Sequence, residues 1–266
     1  MKTVTLCADD FAQSPAISAA ILALLAAGRL SATSAMSVSP YWPDDAHALR
    51  AAARGADVGL HLAFTQPCGQ PMRPLPWWIV LSQLRLLSRT RLRGHILHQV
   101  DRFADAYGSL PAFIDGHQHV HALPVLRDAL FDAIAMRWPD GSRPWLRAPD
   151  LLADAGDSRC KARLLVGLCR GFSVAARAHG YAVPAWFAGL YSLRPGADFA
   201  RLMTRWLAAS PAGGLLMCHP GLPQDERGGR IAAVRGAEYA WLASAGFVEA
   251  CRHHGVALAR WTGQAA

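Results

Sequence analysis

The stretch VTLCADDFAQSPAISAAILALLAAG, residues 4–28, combines the signals of a buried strand and of a helix that follows it. Residues 4–8 are apolar and suit a strand covered on both faces. Ser14 can cap a helix and Pro15 suits its first turn, while Gly28 provides an end signal. The helix between them would present one apolar face, formed by Ile17, Ile21, Leu24 and Leu25. This stretch therefore predicts one β–α unit.

The rest of the chain repeats this alternation. Further strands are predicted at residues 34–38, 58–62, 112–119, 145–148, 214–219 and 256–260. Helices are predicted at residues 43–54, 92–107, 124–137, 158–179, 197–209 and 237–254. Alternating strands and helices are typical of an α/β fold, with a parallel sheet or barrel and helices outside. No repeat or linker divides the chain, so we expect one domain over residues 1–266.

Composition limits the classes of function. The 266 residues are 52% hydrophobic and 17% charged, which excludes a disordered chain. The net charge is +8, but no basic block alternates with aromatic residues, so we expect no nucleic-acid partner. The six cysteines are dispersed without a C-x-x-C pair, which indicates reduced thiols. Because the amino terminus leads directly into a strand without a secretory signal, we expect a cytoplasmic protein.

Residues 74–97, PLPWWIVLSQLRLLSRTRLRGHIL, form the most apolar stretch of the chain. Arg85 interrupts it well short of the roughly 20 apolar residues that span a bilayer. The simpler interpretation is an amphipathic helix that covers the core. The alternative is a basic, apolar surface that rests against anionic lipid at the inner membrane.

Polar residues cluster where four of the predicted strands end. Asp9 and Asp10 follow the first strand, and His61 ends another. The segment DGHQHVH, residues 115–121, ends a third, and CHPG, residues 218–221, ends a late one. Because the carboxyl ends of parallel strands share one rim, these side chains are expected to meet there.

Carboxylate and imidazole groups together suit a divalent metal. A catalytic site usually has about three protein ligands and leaves a position for water. If residues 115–121 stay extended, one face carries Asp115, His117, His119 and His121. One or two of these histidines would then face the metal, and the others would orient ligands or bind substrate. Alternatives stay open, because His61 can be a hydrogen-bonded core histidine and Asp9–Asp10 a solvated turn.

Five blocks of the sequence resemble the YdjC/ChbG family of carbohydrate deacetylases, including the hopanoid-biosynthesis branch called HpnK. These blocks occur in the family's order and span nearly the whole chain. They are ADDFAQSPAISAAI…GRLSATSAM, VGLHLAFTQ, FIDGHQHVHALPVL, WLRAP and LLMCHPG. The resemblance implies a distorted (β/α) barrel of mostly parallel strands, similar to polysaccharide deacetylases.

The resemblance also implies roles for individual residues. It assigns Asp10, His61 and His117 as ligands of one divalent ion, zinc or magnesium. It assigns Asp9 as the catalytic base and His219 as the general acid. The orienting or substrate-binding candidates that remain are Asp115, His119, His121 and Arg147.

One departure from the family pattern concerns the backbone after the aspartate pair. The family usually has glycine where this chain has Ala12. We expect alanine to be tolerated there only if its φ is negative.

The implied activity is removal of an N-acetyl group from an N-acetylglucosamine-type sugar. A glycolipid, an N-acetylglucosaminyl hopanoid, is the expected substrate because residues 74–97 offer an apolar approach. A soluble chitooligosaccharide is the alternative, and it predicts aromatic platforms among Trp42, Trp77, Trp78, Trp145 and Trp186. A carbohydrate- or metal-binding protein without turnover is an alternative of another class. The oligomeric state is left open.

Overall fold

The computed structural model describes residues 1–66, 72–138, 143–223 and 231–263. Its strands are β1 (Lys2–Phe11), β2 (Ala32–Ala35), β3 (Asp57–Leu62), β4 (Phe113–Gly116), β5 (Trp145–Leu146), β6 (Phe187–Ala188), β7 (Gly214–Cys218) and β8 (Val256–Leu258). Its helices are α1 (Pro15–Ala26), α2 (Trp42–Ala52), α3 (Leu75–Gln83), α4 (Arg89–Tyr107), α5 (Leu126–Arg137), α6 (Arg159–Leu168), α7 (Phe172–Ala178), α8 (Phe199–Ala209), α9 (Ala232–Ala243) and α10 (Ala245–His253).

The strands form one curled sheet in the order β5-β4-β3-β2-β1-β7-β6, with β8 paired to β1. Every strand pairing among the described residues is parallel. A single bridge between Leu152 and Phe187 links the segment after β5 to β6 at the other edge of the sheet. The expected distorted barrel of parallel strands with helices outside is confirmed.

The first β–α unit folds as the sequence predicts. The Ser14 hydroxyl accepts a hydrogen bond from the Ile17 backbone N–H, and Pro15 occupies the first helical turn. The predicted apolar face of α1 is buried against the sheet. Because β1 pairs with β2, β7 and β8, it lies in the interior of the sheet and carries its final residues to the centre of the rim.

Several predicted elements differ from those observed. Strand β2 lies at Ala32–Ala35 rather than at residues 34–38. Strand β4 ends at Gly116 rather than continuing to residue 119, and a 3-10 helix (His117–Ala122) follows it. The helix predicted at residues 158–179 is divided into α6 and α7 by Gly171, whose φ is 79°. The helix predicted at 237–254 is two helices because Ser244 adopts an extended conformation. Strand β6 was not predicted, since two residues carry no periodic signal.

Residues 74–97 form α3 and the first half of α4, with a break between them. Trp78 on α3 and Leu92 and Ile96 on α4 face the core. Val80, Leu84 and Leu86 project outward and are exposed by 53%, 63% and 67%. The segment therefore covers the core and also presents an apolar outer surface.

Within the described residues, each helix is too short or too polar to cross a lipid bilayer. Five cysteines have free thiols: Cys7, Cys160, Cys169, Cys218 and Cys251. The sixth, Cys68, lies outside the described residues.

Candidate active site

Asp9 and Asp10 reach the same cavity although they are neighbours on one strand. Successive side chains of a regular strand point to opposite faces. Here the pairing of β1 with β2 shifts register between Ala8 and Phe11, and Asp10 has a φ of 69°. Both carboxylates consequently line one cavity of about 550 Å³ at the rim of the sheet.

Asp10, His61 and His117 come together at the floor of this cavity. The Oδ1 atom of Asp10 lies 3.1 Å from His61 Nε2 and 3.0 Å from His117 Nδ1. One ligand atom from each residue lies within 4.8 Å of the others, so the three could hold one metal ion. Asp10 and His61 are buried, whereas 16% of the His117 side chain is exposed.

Asp115 holds His61 in the orientation that this site needs. Asp115 Oδ1 lies 2.7 Å from His61 Nδ1, which leaves Nε2 directed towards Asp10. A carboxylate on the second imidazole nitrogen is a recurrent feature of metal-binding histidines. Burial lowers the pKa of His61, but the charge of Asp115 and the hydrogen bonds that His61 donates to Asp10 and Asp115 outweigh burial and raise the pKa to about 10. The donor types and this arrangement fit a divalent cation.

Arg147 connects Asp9 with Asp115 beneath the floor. It donates hydrogen bonds to Asp9 at 2.5 and 2.6 Å, and its Nη2 lies 2.6 Å from Asp115 Oδ2. Arg147 is fully buried, so of its two predicted roles the structure supports orientation of other residues rather than contact with substrate. Burial raises the pKa of Asp115, but Arg147 and His61 outweigh it, and the pKa lies below its usual value.

Residues 115–121 do not stay extended, so Asp115, His117, His119 and His121 do not share one strand face. Because the 3-10 helix begins at His117, with Gln118 and His119 at φ values of 54° and 60°, only His117 reaches Asp10. His121 donates a hydrogen bond to the Arg147 carbonyl and is buried. His119 packs edge-on against Phe187 and lines the cavity. Burial lowers the pKa of both histidines, that of His121 to about 4.

His219 lies across the cavity, with Nε2 4.0 Å from Asp9 Oδ2. Burial, with smaller contributions from Arg235 and Arg147, outweighs the effect of Asp9 and Asp10 and lowers the pKa of His219 to about 4. The imidazole is therefore neutral at neutral pH.

Glu238, which the sequence analysis did not single out, lies behind His219. Its Oε2 accepts a 2.5 Å hydrogen bond from the His219 backbone N–H, and its Oε1 accepts one from the Tyr191 hydroxyl. Burial raises the pKa of Glu238 to about 7. The only sequence signal was an acidic residue within an apolar helical face, which is too weak to identify a site.

Arg235 is a second residue that the sequence analysis missed. This buried side chain on α9 donates hydrogen bonds to Asp10 Oδ2 at 2.5 Å and to Gln13 Oε1 at 3.1 Å. Burial raises the pKa of Asp10, but Arg235 and His117 outweigh burial and hold it well below its usual range. Asp10 thus keeps one oxygen on Arg235 and directs the other towards the two histidines.

The wall of the cavity contrasts with its polar floor. Among the described residues, half of its ten aliphatic side chains come from α3 and α6, which a hydrogen bond from Gln83 to the Leu168 carbonyl joins. The ten are Leu75, Ile79, Leu123, Leu164, Leu165, Leu168, Leu190, Leu193, Met217 and Ile231. No tryptophan, tyrosine or phenylalanine is among the described residues that line the cavity.

The expectation of a negative φ at Ala12 is wrong. Its φ is 67°, in the left-handed region that normally favours glycine. The Ala12 backbone N–H donates to the Ser18 hydroxyl, so the turn after the aspartate pair is held from α1.

The sequence is similar to those of a known protein family and of several characterised proteins. The family described as YdjC-like protein matches residues 3–253. The chain belongs to the YdjC-like family. The YdjC-like chain is 29% identical over 135 residues to a chitooligosaccharide deacetylase of Enterobacter sp. (strain 638), covering 47% of this chain and 52% of that protein. It is 28% identical over 134 residues to a chitooligosaccharide deacetylase of Serratia marcescens, covering 46% and 52%. These alignments span about half the length of each relative.

Solved structures support the fold of this YdjC-like chain. A protein of Enterococcus faecalis V583, described as a candidate cellobiose-phosphate cleavage protein, superimposes with a TM-score of 0.69 and 22% identity over 98% of this chain and 97% of that one. A structure described as T48 deacetylase with substrate superimposes with a TM-score of 0.50 and 12% identity, covering 98% of this chain and 89% of that one. At such identities the likeness shows the fold alone.

Proposed function

We propose that this YdjC-like protein is a metal-dependent hydrolase that removes the N-acetyl group from an N-acetylglucosamine-type sugar. The observation that carries the proposal is that Asp10, His61 and His117 lie together at the floor of a cavity that Asp9 and His219 also line. A binding protein without turnover would need neither Asp9 nor His219 there. The chitooligosaccharide deacetylase relatives support the same reaction class.

Asp10, His61 and His117 are the proposed ligands of one divalent ion. Two imidazoles and one carboxylate favour zinc over magnesium, which prefers oxygen donors. When bound, such an ion would lower the pKa of a water molecule and polarise the acetamide carbonyl. Asp115 keeps the Nε2 of His61 available to the ion, and Arg235 keeps Asp10 ionised and in place.

Asp9 and His219 are the proposed proton carriers. Arg147 fixes Asp9 through two hydrogen bonds, so one carboxylate geometry is maintained for accepting a proton from the attacking water. His219 would protonate the departing amine. Because His219 is neutral in the resting protein, it must first gain a proton, and Asp9 at 4.0 Å is a nearby source.

The cavity wall favours a lipid-linked sugar over a soluble chitooligosaccharide. An oligosaccharide groove would be expected to present aromatic platforms. Instead, the wall is aliphatic, and Trp42, Trp78 and Trp145 pack against Phe103, Phe64 and Phe113. An apolar wall suits the hydrophobic part of a glycolipid such as an N-acetylglucosaminyl hopanoid. The protein would then act in the cytoplasm, on glycolipid at the surface of the inner membrane.

The test is acetate release from matched substrates: an N-acetylglucosaminyl glycolipid, chitooligosaccharides and a monosaccharide. The protein is first stripped of metal with a chelator and then given zinc or magnesium. We expect activity only after a divalent ion is restored, and preference for the glycolipid. Activity that survives complete metal removal, or no acetate from any substrate by the metal-loaded protein, would contradict the proposal. Preference for chitooligosaccharides would contradict the lipid-linked substrate alone.

A further inference from the structure

An apolar surface lies beside the mouth of the cavity and takes no part in the proposed chemistry. It consists of Val80, Leu84 and Leu86, which we call the apolar rim. These side chains are exposed by 53%, 63% and 67%. Clustered exposed aliphatic side chains are costly in water and usually mark a contact surface.

The apolar rim continues the cavity wall to the outside of the protein. On α3, Leu75 and Ile79 line the cavity, while Val80 projects outward, as does Leu84, which directly follows the helix. At the end of α3, Gln83 donates a hydrogen bond to the Leu168 carbonyl of α6. Leu164, one turn earlier on α6, lines the cavity and is 61% exposed. Helices α3 and α6 therefore contribute apolar side chains both to the cavity wall and to the outer surface.

The segment that carries the apolar rim is rich in positive charge. Residues 73–97 contain five arginines, Arg73, Arg85, Arg89, Arg91 and Arg93, and no acidic residue. The acids that face them come from α5. Asp132 pairs with Arg89 at 2.6 Å, and Asp128 lies 4.0 Å from Arg85. On α6, Arg159, Lys161 and Arg163 add further positive charge. The two α5 carboxylates neutralise only part of this charge.

We propose that the apolar rim docks on an anionic lipid bilayer, with its aliphatic side chains among the acyl chains and the neighbouring arginines against the headgroups. Apolar insertion combined with basic residues is the general pattern of interfacial membrane binding. Docking would place the cavity mouth at the bilayer, where the apolar part of a lipid could enter. The proposal rests on the proposed function only for this delivery of substrate, since the binding itself needs no turnover.

The test is co-sedimentation of the full chain with vesicles of phosphatidylcholine, with and without phosphatidylglycerol. We expect binding to the phosphatidylglycerol vesicles that weakens as salt is raised. Leu84→Asp should lower the partition coefficient about tenfold or more, because a leucine leaves the acyl region and a negative charge replaces it.

The matched control is Val248→Asp. Val248 is 42% exposed on α10, which packs against β8 near the start of β1, away from the rim of the sheet. It should bind like the unchanged protein.

Several results would overturn the proposal. They are failure of the unchanged protein to bind phosphatidylglycerol vesicles, or equal loss of binding in Leu84→Asp and Val248→Asp. A dimer in size-exclusion chromatography that Leu84→Asp dissociates, without vesicle binding, would identify the apolar rim as an interface between two copies. Equal melting temperatures of the variants check their folding. Acetate release from a water-soluble N-acetylated sugar, expected to be unchanged in Leu84→Asp, tests the proposed function separately.

Discussion

The floor and the wall of the cavity are built by different parts of the chain and on different principles. Ionisable side chains form the floor, most of them at strand ends, and buried arginines fix their positions. Aliphatic side chains form the wall, half of them on α3 and α6. Under the proposed function, the floor would supply the chemistry, whereas the wall would select the group to which the acetylated sugar is attached.

Removal of a proposed metal ligand should give the largest effect on the floor. We expect His117→Ala to lose bound zinc and at least about 10³-fold in kcat/KM, since a bound metal supplies several kcal/mol of transition-state stabilisation. Metal content by mass spectrometry and acetate release measure the two losses. A fully active His117→Ala protein would remove the floor's proposed role.

Asp9→Asn separates proton transfer from metal binding. The amide is similar in size but cannot accept the proton, so we expect kcat to fall about 10²–10⁴-fold. Zinc content should stay unchanged, because Asp9 lies outside the proposed ligand set. Loss of zinc together with turnover would mean that Asp9 acts on the metal site instead.

His219→Ala should discriminate between leaving groups. An amide releases an amine that needs a proton, whereas an activated ester releases a group that does not. We expect about 10²-fold or more loss on the N-acetylated sugar and a much smaller loss on an aryl acetate. Equal losses on both substrates would contradict the role of general acid.

Metal binding should be linked to pH through His61. Because the pKa of His61 is raised to about 10 in the metal-free protein, both nitrogens of its imidazole are protonated at neutral pH. The metal must displace the proton on Nε2. Zinc affinity should therefore rise about tenfold per pH unit between pH 6 and 8. Calorimetry in buffers of different ionisation enthalpy should report about one proton released per zinc. An affinity independent of pH would contradict this linkage.

A smaller effect is expected on the wall. Leu165→Ala removes apolar contact area, so KM for a lipid-linked substrate should rise roughly three- to tenfold. KM for an N-acetylated monosaccharide should stay the same, since that substrate needs only the floor. Equal changes for both substrates would show that the wall does not select the attached group.

The smallest effect concerns the turn that delivers the aspartate pair. Ala12→Gly should raise the free energy of unfolding by about 1 kcal/mol, because glycine adopts the left-handed φ of 67° without steric cost. Ala23→Gly, at an exposed position within α1, is the control and should lower it by about 1 kcal/mol. Urea unfolding measures both changes. A destabilised Ala12→Gly would contradict this account of the turn.

Sequence reasoning succeeded where local pattern and strand geometry coincide. Asp10, His61 and His117 follow three apolar runs, and parallel strands necessarily bring their carboxyl ends to one rim. The orienting or substrate-binding roles of His119 and His121 stay predictions. Their expected shared face required an extended segment, but the two left-handed residues at Gln118 and His119 redirect the chain. No periodic signal marks such a local reversal.

Arg235 and Glu238 illustrate a second limit. Both lie on a helix far along the chain, and nothing local distinguishes them from solvent-exposed charges. They become site residues only because α9 packs with its charged face towards Asp10 and His219. Strand β6 was missed for a similar reason, since its two residues become a strand only through pairing with β7.

The sequence by itself determined the alternation of strands and helices, the parallel sheet and the strand ends that carry the polar residues, because hydrophobic periodicity and capping act over short distances along the chain. Only the tertiary structure decided which histidine meets Asp10, which arginines hold the two aspartates, and that aliphatic side chains enclose the cavity. Those contacts join residues more than a hundred positions apart, and their energies depend on burial and distance that exist only after the chain has packed.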